Sequence, residues 1–361
     1  MTRRHGDSDV WQFDTSPCHR VVISELPAFR EAIEALGITV ATNEPLARHT
    51  TFHIGGPADL YAAVTDVTQL GRLVETAAAH GVTTTILGGG SNILVSDAGV
   101  CGLVIANQAR QFRIQNVECR TDHLIPHSDF CILHSDSGVL LAGLARWAIK
   151  NGWSGLEWAV SVPGTVGGAV VGNAGAHGGA IADCLAWARV LIPGEGERLL
   201  TRDALTFSYR SSALKQQIVA GGASPVVLAA GFELKPGDVA EMTARADGFL
   251  ARRRASQPVE PSAGSIFRNP PGDYAGRLIE AVGLKGHRIG GAQVSPRHAN
   301  FIVNVQDARA VDVLALIRLI RARVLDQFGI VLTPEILPIG DWSAQAPYDF
   351  GWRNNKEYGN I

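Results

Sequence analysis

No stretch of the 361-residue sequence approaches the ~18 consecutive apolar residues of a membrane-spanning helix. The polar, charged segment from Met1 to Cys18 also lacks the apolar core of a secretory signal. Basic excess is missing as well: 32 Lys and Arg stand against 34 Asp and Glu, for a net charge of -2, which excludes a general nucleic-acid binder. The five cysteines, Cys18, Cys101, Cys119, Cys131 and Cys184, are odd in number and form no CxxC pair. That pattern speaks against a disulfide framework or a zinc site and for a reducing compartment. There is no HExxH for a metal, no GxSxG for a hydrolase, no GxGxxG for a Rossmann dinucleotide site and no GxxxxGK[ST] for a P-loop. No internal repeat is visible. The expectation is a cytoplasmic protein with no metal, no nucleic-acid partner and no membrane contact. Nothing in the sequence fixes an oligomeric state, and a monomer is expected.

What the sequence has in quantity is glycine. Its 40 glycines are about 11% of the chain against a usual ~7%. They concentrate at residues 88–90 and 164–179, and concentrated glycine points to backbone brought close to a ligand. With 46% hydrophobic and 18% charged residues, the chain is long enough for two or three domains with cores of their own.

Periodicity divides it. Residues 1–44 read as a leader followed by an amphipathic helix over 25–36 that stops at Gly37. From 45 to 237 the pattern alternates between strands and helices, with strands near 60–64, 83–87, 100–106, 185–192 and 226–234, a helix capped by Asp66 that ends at Gly81, and another near 139–150. The turn Lys235-Pro236-Gly237-Asp238 marks a boundary. A separate α+β unit is expected over 238–340, with helices near 239–254 and 311–328 and strands over 301–305 and 331–339. The tail 341–361 is polar and aromatic and has no assigned role.

Five segments carry chemistry. Gly88-Gly89-Gly90-Ser91-Asn92 follows a β-branched strand and frees consecutive backbone N–H groups, with Ser91 and Asn92 adding donors. Alone it reads more readily as a tight turn. The small-residue run from Val162 to Ala169, with Thr165 and Gly168, leads to Gly172-Asn173-Ala174-Gly175-Ala176 and could lie against a flat ring or a diphosphate. Two such loops in one domain favour a dinucleotide cofactor. Arg210, within Ser208-Tyr209-Arg210-Ser211-Ser212, could grip a carboxylate. Ser265 sits among small residues in Pro261-Ser262-Ala263-Gly264-Ser265-Ile266-Phe267-Arg268-Asn269-Pro270, reachable by a ligand but a poor acid without partners. Glu335 interrupts an apolar run and is unusual if buried.

Taken in order, these segments resemble the UDP-N-acetylenolpyruvoylglucosamine reductase (MurB) family. The resemblance spans about residues 45–340 and includes His49-Thr50-Thr51-Phe52-His53-Ile54-Gly55-Gly56 and Gly290-Gly291-Ala292-Gln293-Val294-Ser295. The PSAGSIFRNP stretch is similar to the branch lacking an extra tyrosine-bearing loop. The resemblance implies a two-part FAD-binding domain of the vanillyl-alcohol-oxidase (PCMH) type plus a C-terminal α+β substrate-binding domain. It implies that NADPH reduces FAD and that the flavin passes hydride to C3 of UDP-N-acetylglucosamine enolpyruvate, giving UDP-N-acetylmuramate for peptidoglycan synthesis. On the same ground Arg210 and Glu335 stand on the carboxylate side and Ser265 is the proton donor. Gly88, Gly89, Gly90, Ser91, Asn92, Thr165, Gly168 and Asn173 would hold FAD, and Asn269 and Arg252 the UDP-sugar. No His or Cys stands in the glycine turn to tether the ring, so FAD would be noncovalent. Ser161-Val162, Ser135-Asp136-Ser137-Gly138 and His177 depart from the family pattern. Two other readings remain, an alcohol oxidase on the same flavin fold and a binding protein that has lost catalysis. Arg210, Ser265 and Glu335 together weigh against both.

Overall fold

The computed structural model describes residues 20–116, 130–219 and 224–345. Most of the leader and the tail beyond 345 lie outside the described residues.

The first half of the cofactor region begins with α1 (Pro27–Ala35), β1 (Val40–Pro45), β2 (Pro57–Val64), α2 (Val67–Ala79), β3 (Thr84–Leu87), β4 (Ile93–Val95) and β5 (Val100–Asn107). The sheet order is β1-β2-β5-β3; β5 runs parallel to both β2 and β3, and β1 is antiparallel to β2. The start of α2 is set by Asp66, whose carboxylate accepts from the backbone N–H of Thr68 (2.7 Å) and Gln69 (3.1 Å). Its Leu70, Leu73, Val74 and Ala77 recur at helical spacing and are fully buried against the sheet with Phe29 and Ile33 of α1. Each of the larger side chains contributes about 1.5–3 kcal/mol by burial.

The second half contains β6 (Phe112–Asn116), β7 (Cys131–Asp136), α3 (Leu141–Lys150), α4 (Val166–Gly172), β8 (Leu185–Ile192), β9 (Gly196–Thr201), α5 (Ala213–Val219), β10 (Val226–Pro236) and α6 (Val239–Ser256). Its strands form an antiparallel sheet in the order β9-β8-β10-β7-β6. Although α6 follows the Lys235–Asp238 turn, its Met242 and Ala246 are buried in the same core as Phe232 and Leu234 of β10.

The C-terminal unit holds β11 (Ser262–Ser265), α7 (Ala275–Ala281), β12 (Arg288–Ile289), β13 (Ala292–Val294), β14 (Phe301–Asn304), α8 (Ala310–Phe328) and β15 (Leu337–Ile339). The antiparallel order is β11-β14-β13-β12, and α8 covers the sheet with Val313, Ile317, Ile320 and Val324. Gly329, at φ +65°, ends α8 in the left-handed conformation. The last strand leaves this unit: β15 pairs in parallel with β4, Leu337 opposite Ile93 and Ile339 opposite Val95.

That pairing corrects one expectation. Residues 331–336 are not strand. The Glu335 N–H donates to the Ile266 carbonyl (2.7 Å) and the Arg268 N–H to the Thr333 carbonyl (2.9 Å), while Pro334 has no N–H to give to a ladder. Cys101 is disulfide-bonded, and Cys131 and Cys184 are free and buried. Among the described residues no helix is long and apolar enough to cross a membrane, and no group of three or more His, Cys, Asp or Glu side chains is placed to hold a metal.

Candidate active site

The two glycine segments meet face to face. A Cβ built on Gly89 would lie 2.9 Å from Cα of Gly164, one on Gly88 would overlap Oγ1 of Thr165, and one on Gly164 would come within 2.8 Å of Oγ of Ser91. These glycines allow the turn after β3 to lie against the loop before α4, backbone on backbone. Gly90 is pressed in turn against the His49 carbonyl. Thr51 fixes this arrangement to the C-terminal unit. Its N–H donates to the Gly90 carbonyl (3.0 Å), its Oγ1 donates to the Ser262 carbonyl (2.7 Å), and its own carbonyl accepts from the Ser262 N–H (3.1 Å).

Behind the interlocked loops opens a cavity of about 520 Å³. Gly88 to Asn92, Thr165, Gly168, Gly172 and Ala174 line it, together with Asn107 and Ser137. Gly168 and Gly172 differ from the loop-packing glycines. A Cβ on Gly172 meets nothing within 4 Å and one on Gly168 only Oγ1 of Thr165 at 3.9 Å, so side chains there would fill the cavity itself. A largely apolar cavity of this size lined by small residues fits a flavin ring system.

A second cavity, of about 540 Å³, lies against the first on the side of the C-terminal unit. Arg210, Ser265 and Glu335 line both. Ser265 ends β11 after a register irregularity: Ser262 stands opposite Val303 and Ser265 opposite Phe301, three steps on one strand against two on the other. The bulge, with Gly264 at φ +79°, re-aims Ser265 toward the cavities. Arg210 sits at the tip of a tight turn closed by reciprocal backbone bonds between Ser208 and Ser211 (both 3.1 Å). Its φ of +57° is rare for a side chain of this size. Nε of Arg210 is 2.8 Å from Oε1 of Glu335; the N–H is not aligned on the oxygen, so the contact is an ion pair without a hydrogen bond. Burial raises the Glu335 carboxyl above its ordinary pKa, against the opposing charges of Arg210, Lys215 and Arg268.

Asn269 lines the second cavity, its Oδ1 accepting from the Ala275 N–H (3.1 Å) at the start of α7. Arg252 does not join it. That side chain is exposed, its guanidinium 5.4 Å from the ring of Phe249, and it lines neither cavity. The next residue on α6, Arg253, lines the first cavity instead and donates to the Ser161 carbonyl. Asn173 is buried and also lines neither cavity. Lys215 and Gln257 were not among the sequence candidates. Lys215 is 4% exposed on α5, lines the first cavity and donates from Nζ to the Arg210 carbonyl (2.9 Å). Gln257 lines it beside Arg253, with a buried Oε1. The only local sign of Lys215 is its place five residues after Arg210. Two departures from the family pattern touch each other, since Oγ of Ser161 lies 3.0 Å from Nε2 of His177, whose ring stacks on Phe249 at 4.3 Å.

The chain is similar to known proteins over most of its described length. Residues 58–201 match the FAD binding domain model, and residues 257–339 match the model for the C-terminal domain of UDP-N-acetylenolpyruvoylglucosamine reductase. UDP-N-acetylenolpyruvoylglucosamine reductase of Chloroflexus aggregans is 41% identical over 303 residues, covering 84% of this chain and 98% of that one. The Heliobacterium modesticaldum enzyme of the same name is 45% identical over 306 residues, covering 84% and 91%. The crystal structure of UDP-N-acetylenolpyruvylglucosamine reductase (MurB) from Thermus caldophilus aligns with a TM-score of 0.66 and 34% identity, covering 84% of this chain and 98% of that one.

Proposed function

Because the chain belongs to the UDP-N-acetylenolpyruvoylglucosamine reductase family, we propose that its two cavities serve the NADPH-dependent reduction of UDP-N-acetylglucosamine enolpyruvate to UDP-N-acetylmuramate. The observation that carries this reading is the position of Arg210, Ser265 and Glu335 in the shared wall. FAD, when bound, would supply the redox chemistry, carrying hydride from NADPH to the enolpyruvyl group. The residues for holding it are the Gly88–Asn92 turn, Thr165, Gly168 and Gly172.

The protein's part is electrostatic. Hydride arriving at C3 leaves negative charge at C2 that spreads into the substrate carboxylate. In this reading Arg210 holds that carboxylate; Glu335 stands as an ion pair at its Nε, which leaves the terminal nitrogens of the fork for the substrate. Glu335 holds the guanidinium in place as its ion-pair partner, and burial raises its carboxyl above its ordinary pKa. Ser265 delivers the proton from Oγ to C2, an act that a serine performs only toward a strongly basic centre. In the second cavity Asn269, with the Tyr274 and Arg277 that also line it, is suited to a polar sugar nucleotide. A cytoplasmic monomer serving peptidoglycan synthesis, and through it cell shape and division, belongs to the same proposal and agrees with the lack of a membrane-spanning helix among the described residues.

Mixing the purified protein with NADPH and UDP-N-acetylglucosamine enolpyruvate is expected to consume the nicotinamide absorbance only when the sugar is present. Oxidation of NADPH at the same rate without the sugar would refute the assignment.

A further inference from the structure

We propose that Asn173 is a positioning residue for Arg210, holding the strained turn that presents the guanidinium, and makes no contact with the cofactor. Asn173 follows the last residue of α4 in the left-handed conformation (φ +44°, ψ +58°), which asparagine adopts more readily than most residues. Its side chain is spent on protein. Nδ2 donates to the Ser208 carbonyl (2.8 Å), and Oδ1 accepts from the Ala182 N–H (3.1 Å). Its neighbours Gly172 and Ala174 line the flavin-sized cavity and Asn173 does not.

Ser208 is where the turn carrying Tyr209 and Arg210 closes, because it exchanges both backbone bonds with Ser211. The far side of the turn is tied to the same end of α4: Oγ of Ser212 donates to the Val171 carbonyl (2.7 Å) and accepts from the Lys215 N–H (3.2 Å). Lys215 then reaches back from Nζ to the Arg210 carbonyl. Three ties thus hold a residue at a φ that it would leave if released, and two of them end on the helix whose glycines form the cofactor wall. The distance between the guanidinium and the ring site is therefore set through Asn173. Loss of its donor would let the turn relax without opening the cavity.

The proposal rests on the reading of Arg210 as the carboxylate clamp, and the test separates the two. Asn173→Asp keeps the size, the left-handed tolerance and the acceptor for Ala182, and loses only the donor to Ser208. Asn173→Gly keeps the backbone freedom and loses both bonds. In stopped flow, both should reduce FAD with NADPH within about twofold of the parent and retain the parent flavin spectrum. Reoxidation by the enolpyruvyl sugar should slow by up to about 10²-fold, the scale of an ångström-sized misplacement. In the Arg210→Lys background, Asn173→Asp should add nothing, since the fork it positions is gone. Ser212→Ala, which cuts the tie on the other side, should slow reoxidation selectively in the same way and carries the test if the Asn173 variants fail to fold. Soluble Asn173 variants that lose FAD, a multiplicative effect of the two substitutions, or unchanged reoxidation in Asn173→Gly or Ser212→Ala would each overturn the proposal. If Arg210→Lys itself reoxidises at the parent rate, the clamp reading fails instead.

Discussion

Two glycine-to-alanine substitutions should separate the glycines that build the fold from those that make room for the cofactor. Gly89 faces Cα of Gly164 at 2.9 Å from its virtual Cβ, whereas carbon atoms pack at roughly 3.5–4.0 Å. Backbone lies on both sides, so Gly89→Ala must push the two loops apart by roughly 0.6–1 Å, an overpacking cost of about 1–3 kcal/mol. For a unit of this size that is a fall of about 2–12 °C in the melting temperature of the apoprotein. Gly172 is the opposite case. It ends α4 outside the left-handed region, its virtual Cβ meets nothing within 4 Å, and it lines the first cavity. Gly172→Ala should leave the apoprotein as stable as the parent, or up to about 1 kcal/mol more stable, because alanine loses less backbone freedom on folding. On the proposed assignment the added methyl enters space that the flavin would fill, and a misfit of about 1–3 kcal/mol would weaken FAD binding by roughly 5–150-fold. Differential scanning of FAD-stripped protein and titration with FAD by flavin fluorescence give the two numbers for each variant. Parent-like FAD affinity in Gly172→Ala would remove the cofactor from that wall. A parent-like melting temperature for Gly89→Ala would mean that the loops are not packed as described.

Ser265→Ala should leave reduction of FAD by NADPH nearly intact while reoxidation by the enolpyruvyl sugar slows by about 10²–10⁴-fold, as for a lost general acid; equal slowing of both half-reactions would indicate displaced flavin. Ser265→Cys should recover part of the rate, since a thiol also delivers a proton. The raised pKa of Glu335 means that the folded state holds this proton more tightly than the unfolded chain. The stabilisation from protonation is complete below the ordinary carboxylate pKa and is lost as pH rises through the raised value. The melting temperature of Glu335→Gln relative to the parent should therefore climb as pH rises above the ordinary carboxylate range of about 4, and a flat or falling difference would contradict the burial argument. Burial pushes the thiols of Cys131 and Cys184 up to about 11 and about 12, so iodoacetamide at pH 8 should label neither in the native protein. Mass spectrometry showing rapid modification of either would mean that it is exposed.

Local signals were the legible ones. Asp66, the spacing of Val67, Leu70, Val74 and Ala78, and Gly81 lie within one stretch of chain, and they located α2 with its cap, its end falling two residues before Gly81. The two glycine segments were found for the same reason, although they divide between loop packing at Gly88 and Gly89 and open space at Gly172. What depended on distant partners was not legible. The apolar run over 331–339 carries a strand's composition, but its first half takes its hydrogen bonds from Ile266 and Arg268, a connection no local pattern reveals. Arg252 and Arg253 are identical in type and adjacent, and only the packing of α6 on the second sheet decides that Arg253 faces the cavity. Lys215 sits in a segment that looks like an ordinary surface helix, and the αL turn at Arg210 is what draws its ammonium inward.

The parallel pairing of Leu337–Ile339 with Ile93–Val95 gives the molecule a timetable. The earlier strand leaves the ribosome with its partner edge open, and at about 5–20 residues per second the partner follows only after roughly 12–50 seconds. Throughout that interval the turn Gly88–Asn92 ends in an unpaired strand, a natural handle for a chaperone or a neighbouring chain. The segment that closes the gap also brings Glu335, and Leu337 and Ile339 complete the wall of the first cavity. A nascent chain halted before residue 335 would thus have both glycine loops and Arg210 in hand and still lack the carboxyl that stands beside them. Synthesis of the last strand is the step that arms the enzyme.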